Sequence, residues 1–179
     1  MKPYVSGTGS PMYYASRIAK KKYPEAKVVF IGPCIAKRKE AQRDECVDYV
    51  MTFEELHSVF RGLGIELAQA NPYKVAYESV CEAHGFAQAG GVAGAVKSYL
   101  GPKADGIKML QFSDFNKKSI GQMRAWAKTG KVDAQFIEMM ACEGGCVTGP
   151  SAYNDSVSGK RQLNQDLLKR TLKYENYKE

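Results

Sequence analysis

The chain has 179 residues, 44% of them hydrophobic, which suits a single domain with an apolar core or one lobe of a larger domain. The formal net charge is +7, and the sequence has no run of about 18 apolar residues of the kind that spans a membrane. Its first residues lack the apolar core of a signal peptide, so these features predict a cytoplasmic protein with no membrane partner.

The positive charge is concentrated between residues 17 and 43, where nine basic residues accompany only two acidic ones. A basic patch of this kind can meet nucleic acid or an acidic protein, but such runs are more often the solvated face of a helix. Aromatic residues are interleaved only at Tyr13, Tyr14 and Tyr23. We therefore predict no nucleic-acid partner.

Hydrophobic periodicity predicts alternating helices and strands along the chain. Short β-branched runs bounded by Gly or Pro indicate strands, and apolar residues at helical spacing indicate helices. The predicted elements, in chain order, are a helix over 10–24, strands over 27–34 and 47–53, a helix from 53 to about 62, a strand or extended segment over 73–80, a helix over 92–100, a strand over 106–115, a helix over 118–131, a strand over 134–142 and a polar helix over 162–174.

Several of the predicted helices carry recognisable caps. Ser10, followed by a proline, is expected to be the N-cap of the first helix. Thr52 begins a capping-box pattern before the second helix. Ser119 is the expected N-cap of the helix over 118–131, and Gly130 lies where a glycine C-cap is expected.

Strands that alternate with helices predict an α/β fold with a mostly parallel sheet of about four strands flanked by helices. In open sheets of this kind, ligands bind beyond the carboxyl ends of the strands. Two of the predicted strands end at cysteines, Cys34 and Cys142. Because parallel strands deliver their ends to one edge, we expect these two thiols and the nearby Cys146 to converge there.

The five cysteines are an odd number, and a disulfide framework is not expected in a cytoplasmic chain of this length. Three thiolates at one sheet edge suit a soft metal, either zinc or an iron–sulfur cluster. The Cys-x2-Cys pairs typical of zinc sites are missing, whereas Cys142 and Cys146 flank Glu-Gly-Gly. The spacing alone is equally compatible with two small buried residues at a turn.

Two longer motifs, GPCIAKRKEA at 32–41 and EMMACEGGCVTGP at 138–150, resemble signature motifs of the catalytic domain of iron-only hydrogenases. VDYVMTFEEL and GFAQAGGVAGAV are also similar to that family, in the same order, so the resemblance covers about residues 6–150. It implies that residues 1–179 form a single α/β lobe of a two-lobed hydrogenase catalytic domain. Residues 151–179 would be a helical C-terminal extension.

The resemblance implies an H-cluster, a 4Fe–4S cubane joined by a cysteine sulfur to a di-iron subsite with CO and cyanide ligands. Cys34, Cys142 and Cys146 match three of the four cubane ligands, and Cys146 matches the thiolate that bridges to the di-iron subsite. Lys37 matches the lysine that contacts a cyanide ligand, a role that suits an ammonium group in a pocket of low dielectric. Lys37 and Cys146 are therefore the expected catalytic residues.

Three further residues match the surroundings of the cofactor. Glu40 matches a motif glutamate that hydrogen-bonds near the cluster, and Met140 and Phe86 match residues that line the di-iron pocket. For Met140 and Phe86, ordinary core packing is an equally good interpretation. Cys46 and Cys81 match no family ligand and are expected to be structural thiols.

The sequence departs from the family pattern in two ways. The fourth cubane cysteine belongs to a motif of the type Thr-Ser-Cys-Cys-Pro, which should precede Ser6. The chain is therefore expected to be the second half of a catalytic domain, inactive and without cofactor in isolation. In addition, Gly32 and the pair Gly149–Pro150 differ from the standard enzymes, which favours a sensory or divergent branch.

The resemblance implies part of an FeFe-hydrogenase that oxidises H2, reduces protons or senses H2. The alternative is an iron–sulfur cluster carrier or assembly protein of the same superfamily without H2 chemistry, and a metal-free domain is a third interpretation. The expected partners are the N-terminal half of the same catalytic domain and a ferredoxin-like or other electron carrier. Self-association is expected through the apolar face that the missing half would cover.

Overall fold

Helices and short parallel strands alternate along the chain, which forms two compact units. The computed structural model describes residues 2–71, 73, 79–170 and 172–174. The first unit comprises Lys2–Pro72 with Pro150–Tyr153, and the second comprises Tyr73–Gly149 with Asn154–Glu179. Most of the predicted strand over 73–80 lies outside the described residues. No helix in the described part of the chain has the length and apolar character needed to cross a membrane.

In the residues that the structure describes, the first unit contains one pair of parallel strands and three α-helices. Strand β1 pairs with β2 in a register that places Val29 opposite Tyr49 and Gly32 opposite Thr52. The buried apolar residues of this unit include Met12 and Val47. In chain order, its elements are α1 (Pro11–Lys22), β1 (Val29–Gly32), α2 (Ala36–Ala41), β2 (Tyr49–Thr52) and α3 (Phe53–Gly62).

Both N-caps predicted for the first unit are confirmed. The Ser10 hydroxyl accepts a hydrogen bond from the Tyr13 amide at 3.3 Å, at the start of α1. At α3 the Glu55 amide donates to the Thr52 hydroxyl at 3.2 Å, and the Thr52 amide donates to the Glu55 carboxylate at 2.8 Å. These reciprocal bonds satisfy donors that the first turn of a helix leaves unpaired.

A buried carboxylate, Asp44, joins α1 to the segment that precedes β2. Its two oxygens accept hydrogen bonds from the Arg17 guanidinium at 3.0 and 2.9 Å, and one of them also accepts from the Cys46 amide at 3.0 Å. Burial raises the pKa of Asp44, but the Cys46 amide and the Arg17 guanidinium outweigh it and hold that pKa below its ordinary value. Asp44 is therefore a carboxylate that stabilises the first unit while it is ionised.

Replacing Asp44 with Asn should lower the free energy of unfolding at neutral pH by about 1–2 kcal/mol, because the Arg17 pair and part of the Cys46 bond are lost. Since folding lowers the pKa, the contribution is fully present above about pH 5. It is lost as the pH falls through the ordinary Asp value of about 3.9 toward the folded one. The free energy of unfolding, measured with urea between pH 7 and pH 3, should fall less with decreasing pH in D44N than in the wild type. The control Asp105→Asn, at an exposed position, should keep the wild-type profile.

The second unit has its own parallel pair. Strand β3 pairs with β4, with Met109 opposite Phe136 and Phe112 opposite Met139. The single tryptophan, Trp126, is buried and lies edge-on to Phe112, with ring centroids 5.7 Å apart. In chain order, its elements are α4 (Cys81–Gly85), α5 (Gly91–Leu100), β3 (Met109–Phe112), α6 (Lys117–Thr129), β4 (Phe136–Met139) and α7 (Ser156–Lys169).

The predicted N-cap of α6 is wrong by three positions. Asn116 is the cap, and its side-chain oxygen accepts from the amides of Lys118 at 2.8 Å and Ser119 at 2.9 Å. Ser119 is buried in the first turn and donates to the carbonyl of Asp114. The predicted C-cap is confirmed, since Gly130 has the left-handed φ of 66°.

The bounds of the last helix also differ from the prediction. Helix α7 begins at Ser156, because Asp155 caps it by accepting from the amides of Val157 at 3.0 Å and Ser158 at 2.9 Å. It ends at Lys169, where the following residue becomes extended, so the predicted continuation to 174 is wrong. Two short helices, α2 and α4, were not predicted.

The α/β class and the parallel pairing are confirmed. The four strands of the described residues form two separate pairs, β1–β2 and β3–β4, rather than one sheet. Strand β1 leads to Cys34 and strand β4 leads to Cys142, and these strands belong to different pairs. A shared sheet edge therefore does not explain how the predicted ligands would meet.

Candidate metal centre

Cys34 lies just beyond the carboxyl end of β1, where the chain turns into α2. The Pro33 carbonyl accepts from the Ser151 amide at 3.2 Å, which fixes the residue before the cysteine. The Cys34 carbonyl accepts from the Lys37 amide at 3.4 Å in the first turn. The thiol is half-buried. The first unit thus presents Cys34 at a well-defined position between a strand and a helix.

Lys37 and Glu40, both predicted site residues, form an ion pair on α2. The Lys37 ammonium lies 2.6 Å from one Glu40 oxygen, and the Ser10 hydroxyl donates to the other. Burial raises the pKa of Glu40, but the hydrogen bonds from Lys37 and Ser10 outweigh it and lower that pKa. The Lys37 side chain is only 19% exposed, so its charge is held in place by a fixed carboxylate. The second role of Ser10, beside its cap, was not predicted.

In the second unit, Cys142 and Cys146 lie at the two ends of a glycine turn that follows β4. We call residues 142–146 the cysteine turn. The Gly145 amide donates to the Cys142 carbonyl at 3.0 Å, and Gly144 and Gly145 have φ values of 80° and 108°. Only glycine adopts such values without strain. The Glu-Gly-Gly sequence therefore brings two half-buried thiols onto one turn.

Backbone hydrogen bonds anchor the cysteine turn to the residue that follows β3 and to the loop before α5. The Gly144 amide donates to the Ser113 carbonyl at 2.8 Å, and the Gly144 carbonyl accepts from the Ala89 amide at 3.0 Å. The Val147 amide donates to the Ala87 carbonyl at 2.7 Å. A Cβ at Gly145 would lie 2.6 Å from the Ala89 nitrogen. The turn is thus packed backbone to backbone, without room for larger residues.

A buried glutamate that was not predicted fastens α5 to the strand that leads into this turn. Glu138 on β4 is 5% exposed, and its two oxygens accept from the amides of Gly90 at 2.8 Å and Ala93 at 2.7 Å. A carboxylate is a favourable cap for the positive end of a helix. The signal in the sequence was a lone acidic residue within the apolar strand FIEMM.

The remaining predicted residues of the second unit lie near the same elements. Met140 follows β4 and its amide donates to the Phe112 carbonyl at 2.8 Å, and the side chain is half-buried. Phe86 caps α4 and lines an apolar cavity of about 340 Å³ with residues such as Val96 and Tyr99. The surroundings of Phe86 are compatible with either interpretation, packing or a pocket wall.

The cysteines that match no family ligand contact the fold through ordinary bonds. The Cys81 thiol donates to the Leu167 carbonyl at 3.5 Å, and the Cys46 amide donates to the Asp44 carboxylate at 3.0 Å. All five cysteines lie within the described residues, and none is in a disulfide. Among these residues no group of three or more His, Cys, Asp or Glu side chains is placed to hold a metal ion.

The donor chemistry fits an iron–sulfur cluster in part. Thiolates are the ligands that such clusters take, and a 4Fe–4S cubane uses four of them. The second unit presents two thiols on one turn and the first unit presents a third, Cys34. The chain thus contains three predicted thiol donors, one fewer than a 4Fe–4S cubane takes.

Comparison with known proteins identifies a family over most of the chain. A family model described as the iron-only hydrogenase large subunit, C-terminal domain, matches residues 1–150. This range contains Cys34, Lys37, Glu40 and the whole cysteine turn.

Similar solved structures are FeFe-hydrogenases. One comes from work on how oxygen inactivates an FeFe-hydrogenase by modifying and degrading the 2Fe subcluster of its H-cluster. Its TM-score is 0.62 and its identity 20%, and the match covers 97% of this chain and 63% of that chain. A variant of HydA1 from Chlamydomonas reinhardtii has a TM-score of 0.62 and 20% identity, and the match covers 96% of this chain and 62% of that chain. A second HydA1 variant from the same organism has a TM-score of 0.59 and 23% identity, and the match covers 97% of this chain and 64% of that chain. At these identities the likeness shows the fold, and the chain spans less than two thirds of each.

Proposed function

Because this chain belongs to the family of the iron-only hydrogenase large subunit, C-terminal domain, we propose that it is part of a domain that binds an H-cluster for reversible H2 oxidation, proton reduction or H2 sensing. The observation that carries the proposal is the cysteine turn. Its two glycines, with φ values of 80° and 108°, allow one short backbone-bonded turn to carry both Cys142 and Cys146, which suits a thiolate-ligated centre.

In this proposal Cys34, Cys142 and Cys146 would hold the iron–sulfur part of the cofactor, and Cys146 would also contact its di-iron part. When bound, the cofactor supplies the redox-active iron for H2 chemistry. Lys37, oriented by Glu40, offers an ammonium group to an anionic ligand. Met140 and Phe86 provide apolar surface that excludes water.

The proposed partner in the intact protein is the remaining part of the same catalytic domain, which would supply the fourth ligand. Support comes from the outward face of the β1–β2 pair, where Val29 is 43%, Ile31 42% and Tyr49 61% exposed. Exposed apolar strand faces of this kind are typical of interfaces. Without that partner the same face would promote self-association.

An acidic electron carrier of the ferredoxin type is the second proposed partner. Support comes from the last turn of α1, which carries the exposed Lys21 and Lys22 beside Lys20, itself paired with Asp48 at 2.8 Å. Complementary charge accelerates the encounter of redox proteins and makes the encounter rate sensitive to salt. A cytoplasmic location is also part of the proposal, because the reducing cytoplasm keeps cysteine thiols free to bind a cluster.

The test is the intact protein, matured with its cofactor, compared with its Cys146→Ser variant. We expect CO and cyanide infrared bands and H2 turnover in the wild type, with both lost in C146S, because a hydroxyl ligates soft iron poorly. The control Cys81→Ser should keep both, since a serine hydroxyl can donate to the same Leu167 carbonyl.

The outcomes separate the competing functions. Iron and sulfide without CO and cyanide bands would replace the proposal with a cluster carrier. Protein that takes up neither iron nor sulfide under anaerobic conditions would replace it with a metal-free domain. Bands with strong H2-dependent spectral changes and very slow turnover would favour the sensory variant, which the Gly149–Pro150 departure supports.

A further inference from the structure

The first turns of α7 lie directly on the cysteine turn. A Cβ added at Gly159 would lie 3.4 Å from Cγ2 and from the carbonyl oxygen of Val147, next to Cys146 in sequence. Gly159 is buried, and the N-cap Asp155 fixes where the helix begins. The residue after Gly159 is therefore held close to the thiols by the backbone of the helix.

That residue, Lys160, places its ammonium group on the cysteine turn. A Cβ at Gly144 would overlap both Nζ and Cε of Lys160, so the ammonium group is in van der Waals contact with the glycine. Gly144 is two residues from Cys142 and two from Cys146, so the distance from its Cα to the Cα of either cysteine is at most about 7 Å. The side chain is half-buried, and within the described ranges it forms no ion pair with a carboxylate.

We propose that Lys160 is a positioning residue that supplies a positive counter-charge to whatever anionic group the cysteine turn holds. A half-buried cation without a carboxylate partner attracts anions more strongly than an exposed one, because water screens it less. A thiolate-ligated iron–sulfur cluster is such an anion, and a nearby cation stabilises its reduced, more negative state. This second step rests on the proposed function, whereas the placement of the charge does not.

Family motifs do not contain this residue. The family model matches residues 1–150, and Lys160 lies beyond that range, in the helix that we expected to be only an extension. Lys37, the cation expected from the motif, is already paired with Glu40 in the first unit. Lys160 is thus a second, independent source of positive charge, contributed by the second unit.

The first experiment measures the charge at the turn without any metal. Thiol labelling of the full chain is followed residue by residue by mass spectrometry, with a dianionic aromatic disulfide, DTNB, and a neutral one, 4,4′-dithiodipyridine. Both reagents react with the thiolate, so the rate with DTNB divided by the rate with 4,4′-dithiodipyridine does not depend on the thiolate fraction. This ratio reports the local electrostatic potential at each cysteine. At low ionic strength, Lys160→Met should lower this ratio at Cys142 and Cys146 about threefold, and 1 M salt should abolish the difference.

Two control variants make the result specific. Lys160→Arg keeps the charge and should keep the ratio. Lys169→Met removes an exposed charge from the same helix, about 13 Å further along its axis, and should leave the ratio unchanged. An unchanged ratio in K160M, or an equal fall in K169M, would overturn the inference.

The second experiment asks whether the anion is the cluster. After anaerobic reconstitution of the intact protein with ferrous iron and sulfide, the reduced fraction is followed by EPR at a fixed potential. K160M should lower the ratio of reduced to oxidised cluster about tenfold, which for one electron equals about 59 mV. A labelling effect with no change in this ratio would overturn the role of Lys160 toward the cluster. A labelling effect with no cluster formed would overturn the proposed function and leave the counter-charge standing.

Discussion

Gly91→Ala should destabilise the second unit by about 3 kcal/mol. A Cβ at this position would overlap the Gly85 carbonyl group and lie 3.0 Å from the Phe86 nitrogen. Gly91 has an ordinary helical φ, so the whole penalty is steric and comes from forced overpacking against backbone. The backbone cannot yield cheaply, because the same loop bonds to Gly144 in the cysteine turn.

Gly94→Ala, on the same helix, is the matched control. Gly94 is exposed, and an added Cβ would meet nothing within 4 Å. Alanine should therefore stabilise α5 by about 0.5–1 kcal/mol, the usual difference between the two residues in a helix interior. Urea unfolding followed by fluorescence of the single tryptophan, Trp126, reports on this unit. Shifts of the same sign in both variants would contradict the steric argument.

Features that depend on a few neighbouring residues were predictable from the sequence. The caps at Ser10, Thr52 and Gly130 follow from local hydrogen-bonding and backbone rules, and each is confirmed. The error at α6 is equally local, because Asn116 and Ser119 both lie at the start of the helix and both are cap-forming residue types. Asn116 caps the helix because its side-chain oxygen reaches two amides, while Ser119 is buried within the first turn.

Pairing between strands was harder to predict, because it depends on contacts far apart in sequence. Periodicity identified all four strands of the described residues but could not assign them to partners. The structure pairs Val29 with Tyr49 and Met109 with Phe136, which are neighbours in the order of strands along the chain. A single sheet was the simplest arrangement of alternating elements, and the two separate pairs follow from the division into two units.

For the candidate site, the residue types came from motifs and the supporting contacts came only from the structure. The glycines between Cys142 and Cys146 already predicted a tight turn. Glu138 and Lys160 were not predicted, because each acts on a segment distant in sequence: Glu138 on the start of α5, and Lys160 on Gly144. Such contacts leave no periodic pattern, so sequence reasoning had no rule that could find them.

The buried carboxylate of Glu138 on β4 holds the start of α5. Its two oxygens accept from two backbone amides at the positive end of α5, and charge-assisted bonds of this kind are about twice as strong as neutral ones. Glu138→Ala would leave both donors unsatisfied and open a cavity in β4. We expect a loss of about 3–5 kcal/mol in the free energy of unfolding.

Glu138→Gln separates the charge from the shape. The glutamine oxygen can accept from only one side, while its NH2 group points at the remaining amide, so the loss should be about 1–3 kcal/mol. Glu143→Gln, an exposed position inside the cysteine turn, should change stability by less than about 0.5 kcal/mol.

Amide hydrogen exchange tests the contact directly. If the carboxylate holds the start of α5, the Gly90 and Ala93 amides should lose protection in E138Q well before the amides of α6, such as that of Trp126. The loop that these amides terminate also bonds to Gly144 through Ala89, so the Ala89 amide should lose protection with them. Unchanged exchange at Gly90 and Ala93 in E138Q would show that the helix start is held by packing alone, and that the strand carrying the cysteine turn is not fastened through Glu138.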